Sequence, residues 1–421
     1  MKRALVLSGG GSRGAYECGA WQALRELNIR LDAVYGTSIG AINAALVAQG
    51  DLDVAVKLWE TIRLNQIVST EEGAEFTVER MVSRKRDLIP FLVENAKNVL
   101  MDITPLENLM RETLDEGRVR ASGMELGMMI TRVPQFSAFE ARLSDIPQGR
   151  LFDYLLASAS CFPIFPLKQI DGEYCMDGGY ADNMPLAMAI ADGADEIVAV
   201  DLHPEPAHPE YGRMPFLRMI HPLHNLGGFL DFNHRLLRRM QRMGYYDTMK
   251  SYGAFEGIRY TFTIQPELHT AARARTYMQR VARFDAEVIH RVALRMSQPL
   301  NAPLISAIEA ETPLRSLSWK EVWLRGLELC ARVMDFRDDA IYDPAELTGR
   351  ILKFVRQIPA EETLTERALQ RRAQQGDREL LGCLYQALLS WETLPAETLH
   401  VLADYPAHTA AALYLVTAEG K

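Results

Sequence analysis

The first 50 residues repeat one pattern twice: a short apolar run, a glycine-containing turn, and a stretch with helical spacing. The first copy spans residues 3–27 and the second spans 32–49. Two such units in succession are typical of an α/β fold, because neighbouring parallel strands need a crossover connection that is usually a helix. We therefore predict a mainly parallel sheet with helices packed against it.

The pattern changes towards the C-terminus. Strand-like runs fade near residue 265, and six segments with helical spacing follow between residues 269 and 404. A chain of 421 residues is long enough for two or three domains. We place a boundary there, with a mixed α/β region at 1–265 and an all-helical region of unknown role at 266–421.

Composition excludes several classes of protein. Asp and Glu number 55 against 46 Lys and Arg, a formal net charge of −9, which argues against nucleic acid as the main partner. The five cysteines form no Cys-x-x-Cys pair, so we expect no metal site and a reducing compartment. The apolar run at 4–7 is too short for a signal peptide, and no apolar run is long enough to span a membrane. The expected location is the cytoplasm, and no cofactor is implied.

A glycine-rich turn links the first predicted strand to its helix. It reads Gly9-Gly10-Gly11-Ser12-Arg13-Gly14. Glycines let the backbone turn sharply and leave amide groups uncovered, and the start of the following helix adds positive potential. Such a turn binds an anion, either a phosphate or the oxyanion of a tetrahedral intermediate.

The same turn satisfies the dinucleotide-binding pattern G-x-G-x-x-G through Gly9, Gly11 and Gly14. That function needs an acidic residue at the end of the second strand, to hold a ribose. The acidic residue available, Asp32, lies at the start of that strand instead. Dinucleotide binding therefore stays open as an alternative that the sequence disfavours.

The second turn contains Gly36-Thr37-Ser38-Ile39-Gly40, a G-x-S-x-G motif between a predicted strand and a predicted helix. In that context the motif indicates a nucleophile elbow, with the serine exposed on a sharp turn at a helix start. Gly36 and Gly40 give the chain room to pack around it. We predict Ser38 as a nucleophile; the alternative is a simple helix cap.

A serine nucleophile needs a base, which is most often a histidine. His203, His208, His221 and His224 cluster in a segment without regular pattern and stay open as candidates. The better candidate is Asp177, because the following Gly178 and Gly179 place its carboxylate on an open turn. An ordinary Asp-Gly turn is the alternative reading of that motif.

The glycine-rich turn with Arg13, the motif around Ser38 and Asp177-Gly178-Gly179 together resemble the patatin-like phospholipase family. The small-residue segment 157–160 with the proline-rich turn after it, and Asp182-Asn183-Met184-Pro185, also resemble that family. The resemblance covers about residues 1–265. It has no counterpart for the helical region.

The resemblance implies a three-layer α/β/α fold and hydrolysis of acyl esters in lipids or phospholipids, without a metal. It implies Ser38 as the nucleophile and Asp177 as the base. The segment Gly9 to Gly14, Ser12 and Arg13 included, would supply the oxyanion hole. Arg13 would either attract a lipid phosphate or brace the loop. An acyltransferase, a general esterase or a non-catalytic binding module would carry the same motifs.

The segment 214–232 is rich in Met, Phe, Leu and Ile for a connection between regular elements. A lipid hydrolase meets its substrate at a surface, often through an apolar patch, so peripheral contact with a membrane is expected. We predict that 214–232, with Phe216 and Leu217 in it, lies at the mouth of the active site. The alternative is that it packs beneath the C-terminal helices.

Overall fold

A computed structural model describes residues 1–68, 101–203, 207–212, 214–265, 270–291, 302–310, 316–361, 364–389 and 396–420. The chain divides into two compact units, Met1–Tyr252 and Gly253–Lys421. None of the described helices is long and apolar enough to cross a membrane.

The first unit is built on an eight-stranded sheet. Its strands are β1 (Arg3–Leu7), β2 (Ala33–Thr37), β3 (Glu125–Val133), β4 (Ser137–Arg142), β5 (Lys168–Ile170), β6 (Glu173–Asp177), β7 (Glu196–Val200) and β8 (Leu217–Ile220). Their order is β5-β6-β3-β2-β1-β7-β8, and β4 pairs with β3 outside this path. Strands β1, β2, β3, β7 and β8 run parallel, whereas β4 and β6 run antiparallel to β3.

Eight helices belong to the described part of this unit: α1 (Gly14–Glu26), α2 (Ile39–Gln49), α3 (Leu52–Thr61), α4 (Thr104–Thr113), α5 (Glu116–Ala121), α6 (Leu151–Ser158), α7 (Leu186–Ala191) and α8 (His234–Ser251). The sequence patterns predict helices at 14–27, 38–49, 104–115, 150–159 and 185–193, which correspond to α1, α2, α4, α6 and α7. They do not predict α3 or α5, and α8 was indicated only by the family resemblance. They also do not predict strand β8, because the segment 203–229 that contains it reads as irregular.

Alternating side chains of the sheet face two separate cores. Leu5 and Leu7 of β1 are buried in one core with residues of α1, α2 and α8, whereas Ala4 and Val6 are buried in the other with α7. Because successive residues of a strand point to opposite faces, both faces of the sheet are covered by helices. The predicted α/β/α layering with a mainly parallel sheet is confirmed.

Strands β2 and β6 share one edge of β3. Strand β2 pairs with the first half of this edge and β6 with the second half. Strand β4 pairs with residues 127–132 along the opposite edge of β3. Thr37, the last residue of β2, lies opposite Met129, and Asp177, the last residue of β6, lies opposite Ile130. Since β2 and β6 run in opposite directions, their C-terminal ends meet head to head.

The second unit is mainly helical, as predicted, with a short parallel pair of strands β9 (Thr261–Phe262) and β10 (Ile341–Tyr342). Its core includes Tyr277, Trp323 and Tyr414, whose rings contact one another. The described helices are α9 (Thr270–Arg291), α10 (Pro303–Glu309), α11 (Trp319–Val333), α12 (Pro344–Val355), α13 (Glu366–Gln375), α14 (Asp377–Leu389), α15 (Ala396–Ala403) and α16 (Pro406–Ala418).

The first unit ends at Tyr252, before the boundary at residue 265 that the sequence patterns suggested. The contacts of Glu328 explain the difference. Its Oε1 accepts hydrogen bonds from the backbone amides of Ile258, Arg259 and Tyr260 at 2.7, 2.7 and 3.0 Å. Glu328 is buried in α11. Residues 253–265 therefore pack with the helical unit, although their strand-like sequence resembles the first.

Candidate active site

Ser38 lies in a tight turn between β2 and α2, with a φ of 55° and a ψ of −122°. A non-glycine residue with positive φ is strained and must be held there by its surroundings. A Cβ on Gly36 would collide with the carbonyl of Gly40, and a Cβ on Gly40 would come within 2.5 Å of the carbonyl oxygen of Leu7. The turn therefore has the geometry that the G-x-S-x-G motif predicts, and it depends on both glycines.

The side chains of Ser38 and Asp177 are joined by a hydrogen bond. Ser38 Oγ donates to Asp177 Oδ2 across 2.5 Å, and the backbone amide of Gly179 donates to Asp177 Oδ1 across 2.8 Å. Gly178 packs so closely on β3 that a Cβ there would collide with the carbonyl of Met129. The turn thus aims the carboxylate at the serine, and each carboxylate oxygen has a donor.

Burial governs the protonation of Asp177, whose surface is 6% exposed. Loss of solvation raises the pKa of this carboxyl to about 6, while hydrogen bonds from Ser38 and Gly179 oppose the rise. A carboxylate in this range is ionised at neutral pH and is a better proton acceptor than an exposed aspartate. The pair has the geometry and the basicity that activation of a serine hydroxyl requires.

Ser158, the last residue of α6, holds the backbone of the elbow. Its Oγ accepts a hydrogen bond from the Ser38 amide at 3.0 Å and donates one to the carbonyl oxygen of Met129 at 2.7 Å. The sequence analysis assigned no role to Ser158 beyond the resemblance of the segment 157–160. A buried hydroxyl at the end of an apolar helix is the signal that could have found it, because buried polar groups have partners.

Most amides of the glycine-rich turn donate hydrogen bonds to carbonyl oxygens of the protein: those of Gly9, Ser12, Arg13 and Gly14. The amides of Gly10 and Gly11 have no acceptor among the described residues, and both glycines line the cavity that contains Ser38. Gly11 has a φ of 61°, and a Cβ there would collide with the carbonyl of Phe229. Of the predicted anion-binding turn, two backbone amides, those of Gly10 and Gly11, are therefore available to bind an anion.

Asn183 fixes the start of that turn. The Gly9 amide donates to the Asn183 carbonyl oxygen across 3.0 Å, and Asn183 Nδ2 donates back to the Gly9 carbonyl oxygen across 3.2 Å. Asn183 follows the Asp177 turn, so it ties the glycine-rich turn to the strand end that carries the carboxylate. The sequence indicated Asn183 through the resemblance alone.

Arg13 points along the cavity wall and braces a neighbouring segment. Its Nε and Nη2 donate to the carbonyl oxygen of Gly227 at 3.0 and 2.8 Å, and the Ser12 hydroxyl donates to the carbonyl oxygen of Gly228 at 3.0 Å. Burial lowers the pKa of Arg13 from its ordinary value. Arg13 therefore braces the glycine-rich turn, as one of the two predicted roles requires. It does so by hydrogen bonds to a backbone carbonyl oxygen and not by a salt bridge to a carboxylate.

The clustered histidines make no hydrogen bond to the serine hydroxyl in the described chain, although His203 lines the same cavity. His203 Nδ1 is 3.0 Å from Asp201 Oδ1, and His208 lies between Asp182 and Glu210 with 2.9 Å to each. In the described chain, Ser38 Oγ has one hydrogen-bond partner, the carboxylate of Asp177. The geometry favours a serine–aspartate pair over a triad with histidine.

The positions of other side chains bear on two alternative functions, dinucleotide binding and metal binding. Asp32 Oδ2 accepts a hydrogen bond from the Arg3 amide at the start of β1, at the end of the sheet opposite the glycine-rich turn. It cannot hold a ribose beside that turn. Over the described residues, no group of three or more His, Cys, Asp and Glu could hold a metal ion.

A cavity of about 810 Å³ contains the Ser38–Asp177 pair and the free amides of Gly10 and Gly11. Pockets of this size accept small ligands. One part of the cavity lining is apolar, and we call it the apolar arm. It consists of side chains from α2, α3, the residues that follow α3, and α4: Ile39, Ile42, Leu58, Trp59, Ile62, Ile67, Leu106, Leu109 and Met110. The exposed rings of Phe136 and Tyr180 also line the cavity.

The segment 214–232 is divided between two environments. Phe216 and Leu217 pack with the core on the α7 side of the sheet, so the prediction that they contact acyl chains is wrong. Leu217 belongs to β8, which pairs with β7, and its side chain therefore faces a core. Phe229, Leu230 and Phe232, at the other end of the segment, do line the cavity.

Comparison with known proteins relates this part of the chain to one protein family. Residues 5–190 match the family model described as patatin-like phospholipase. Lysophospholipase NTE1 of Mycosarcoma maydis is 28% identical over 205 residues, which cover 48% of this chain and 10% of that protein. A cUMP-AMP-activated phospholipase of Escherichia coli is 31% identical over 228 residues, covering 48% of this chain and 66% of that protein.

The chain therefore spans about a tenth of the first of these relatives and about two thirds of the second. Among solved structures, VipD from Legionella pneumophila aligns with a TM-score of 0.40 at 15% identity, over 99% of this chain and 90% of that one.

Proposed function

Because residues 5–190 form a domain of the patatin-like phospholipase family, we propose that this protein hydrolyses fatty-acyl esters of lipids, with Ser38 as nucleophile and Asp177 as base. The single observation that carries the proposal is the hydrogen bond of 2.5 Å from Ser38 Oγ to Asp177 Oδ2, in a cavity with an apolar arm. Both relatives compared above are named as phospholipases or lysophospholipases, which agrees with a lipid ester as substrate.

The first half of the reaction forms an acyl-serine. Asp177 Oδ2 accepts the Ser38 hydroxyl proton while Oγ bonds to the ester carbonyl carbon. The negative charge on the carbonyl oxygen is stabilised by the amides of Gly10 and Gly11, and one such donor contributes about 3–4 kcal/mol. The bond from the carbonyl carbon to the alcohol oxygen then breaks, and the proton on Asp177 passes to the leaving alcohol.

The second half releases the fatty acid. Water gives a proton to Asp177 as its oxygen attacks the acyl carbon, and the same two amides stabilise the second oxyanion. The bond to Ser38 Oγ breaks, and the proton returns from Asp177 to the serine. If an alcohol enters instead of water, the product is a new ester, so the same residues support acyl transfer.

The apolar arm provides a place for the fatty-acyl chain. Ile39 follows the nucleophile directly, and Ile62 and Met110 line the same cavity. Each methylene group removed from water contributes about 0.8 kcal/mol, so a long chain is held more tightly than a short one. Phe136 and Tyr180 are exposed at the same cavity, and we propose that they meet the surface of a membrane or micelle.

The test is release of fatty acid from lysophosphatidylcholine and from phosphatidylcholine, measured by mass spectrometry. The matched control is Ser38→Ala, which removes one oxygen and keeps the elbow. We expect release by the wild type and at least a hundredfold loss in the variant, as for other activated serines. Adding monoacylglycerol as acceptor separates hydrolysis from transfer, since only transfer yields diacylglycerol. No release and no transfer by the folded wild type would contradict the proposal.

A further inference from the structure

Trp59 of α3 forms part of the cavity wall, although its surface is only 1% exposed. Its indole lies against the last residue of the glycine-rich turn: a Cβ on Gly14 would be 2.7 Å from Cζ2 and 2.9 Å from Cη2 of the ring. The same Cβ would be 2.6 Å from Cγ1 of Ile39, the residue after the nucleophile. Trp59 therefore packs against the glycine-rich turn, next to the residue that follows the nucleophile.

The orientation of the indole is fixed by Asn43 of α2. Trp59 Nε1 donates to Asn43 Oδ1 across 3.0 Å, and Asn43 Nδ2 donates to the carbonyl oxygen of Gly14 across 3.0 Å. Nδ2 also donates to Glu17 Oε2 across 2.8 Å. Since an indole nitrogen is only a donor, Asn43 must turn its oxygen to Trp59 and its nitrogen to the two acceptors.

Each of these polar groups is buried, so the arrangement is costly to disturb. Asn43 is 5% exposed and Glu17 is 1% exposed. Rotating the indole away would leave its N–H and the Asn43 oxygen without partners inside the protein. Burial raises the pKa of Glu17 well above its ordinary range, which favours the neutral form of this carboxyl group.

We propose that Trp59, held by Asn43 and Glu17, is a specificity-determining residue that admits acyl chains unbranched next to the carbonyl group and excludes branched ones. The inference rests on the proposed function, because it concerns the acyl chain of that reaction. On this proposal the chain runs from Ser38 towards Ile62 and Met110, which line the same cavity as Trp59. A ring that cannot turn aside then limits the width available beside Ile39 to the first carbons of the chain.

The experiment compares p-nitrophenyl octanoate with p-nitrophenyl 2-ethylhexanoate, whose acyl groups are isomers. We expect the wild type to prefer the linear ester in kcat/KM by at least about tenfold, a typical value for one misplaced methylene group. Trp59→Ala should lower the ratio by raising kcat/KM for the branched ester, whereas the intrinsic difference in reactivity between the two esters stays the same in every variant. Trp59→Phe, which keeps a ring but frees it from Asn43, should fall between the two. Trp21→Phe is the matched control, because Trp21 is buried in the same core without lining the cavity.

A binding measurement keeps this inference separate from the proposed function. In the Ser38→Ala protein, a brominated octanoate should quench tryptophan fluorescence, and Trp59→Phe should remove that quenching whereas Trp21→Phe should not. Absence of hydrolysis with this quenching present would defeat the proposed function and leave the acyl site in place. An unchanged ratio of the two esters in folded Trp59→Ala and Trp59→Phe, or quenching that survives Trp59→Phe, would overturn the inference.

Discussion

Ser38 and Asp177 are 139 positions apart in the sequence, yet a hydrogen bond of 2.5 Å joins their side chains. Strands β2 and β6 bring them together, because both lie along one edge of β3 and end towards each other at Met129 and Ile130. Neither residue depends on a mobile loop for its position. The pair is a property of the register of the sheet.

The pH dependence of hydrolysis should follow the ionisation of Asp177. Its pKa is raised to about 6 by burial, and only the ionised form accepts the serine proton. For a soluble ester, we expect kcat/KM to be constant above about pH 7 and to fall about tenfold per pH unit below about pH 6. A profile that stays flat down to about pH 4 would show that a different group is the base.

Asp177→Asn should remove activity and also stabilise the protein at alkaline pH. A carboxyl group whose pKa rises from 3.8 to about 6 on folding favours the folded state below pH 3.8, and that advantage is lost as the pH rises through 6. The rise corresponds to about 3 kcal/mol in the free energy of unfolding. Urea unfolding at about pH 5 and about pH 8 measures this contribution. The free energy of unfolding of the variant, relative to that of the wild type, should be larger at about pH 8 than at about pH 5. An equal difference at both values would contradict the raised pKa.

Ser158→Ala should weaken both stability and catalysis. The change leaves the Ser38 amide and the Met129 carbonyl oxygen without their partner, which costs about 1–3 kcal/mol for a buried polar group. Ser160→Ala is a matched control, because the Ser160 hydroxyl is equally buried and bonds to the Leu156 carbonyl oxygen within its own helix end. We expect kcat to fall in the first variant and to change little in the second. Equal effects on kcat would mean that Ser158 does not position the nucleophile.

Glu17→Gln should stabilise the protein increasingly as the pH rises. Burial raises the pKa of Glu17 in the folded state well above the ordinary value of 4.5 and so favours the protonated form there. The wild type must therefore take up a proton to fold above that pH, at about 1.4 kcal/mol per pH unit until the folded-state pKa is reached, whereas glutamine needs none. Thermal unfolding between about pH 4 and pH 8 tests this prediction. The control is Glu112→Gln, because Glu112 is exposed. Parallel curves of unfolding free energy against pH for the two variants would contradict a raised pKa of Glu17.

The local parts of the site were predictable from the sequence. The turns around Ser38 and Gly11 depend on glycines at fixed spacing, and their position between a strand and a helix follows from the apolar pattern. The pairing of Ser38 with Asp177 was predicted from the resemblance to a family, because no local pattern shows which strand ends are neighbours. The register of β2 and β6 along β3 explains physically why the two residues meet.

Other features depend on contacts between distant segments, and the sequence did not reveal them. Strand β8 was obscured by the prolines and histidines around it, and Phe216 faces a core because β8 pairs with β7. Trp59 reads as an ordinary apolar residue of α3, and only the position of Asn43 on the neighbouring helix gives its ring a fixed orientation. The unit boundary moved because Glu328, far along the chain, binds residues 258–260.

The central claim is that Asp177 activates Ser38 as a nucleophile. It is tested most directly by reaction with a fluorophosphonate, followed by mass spectrometry of the digested protein. We predict one adduct, on the peptide that contains Ser38, which forms much more slowly in Asp177→Asn and is absent from Ser38→Ala. Failure of the folded wild type to react, or an adduct on a different serine that persists in Ser38→Ala, would contradict the claim.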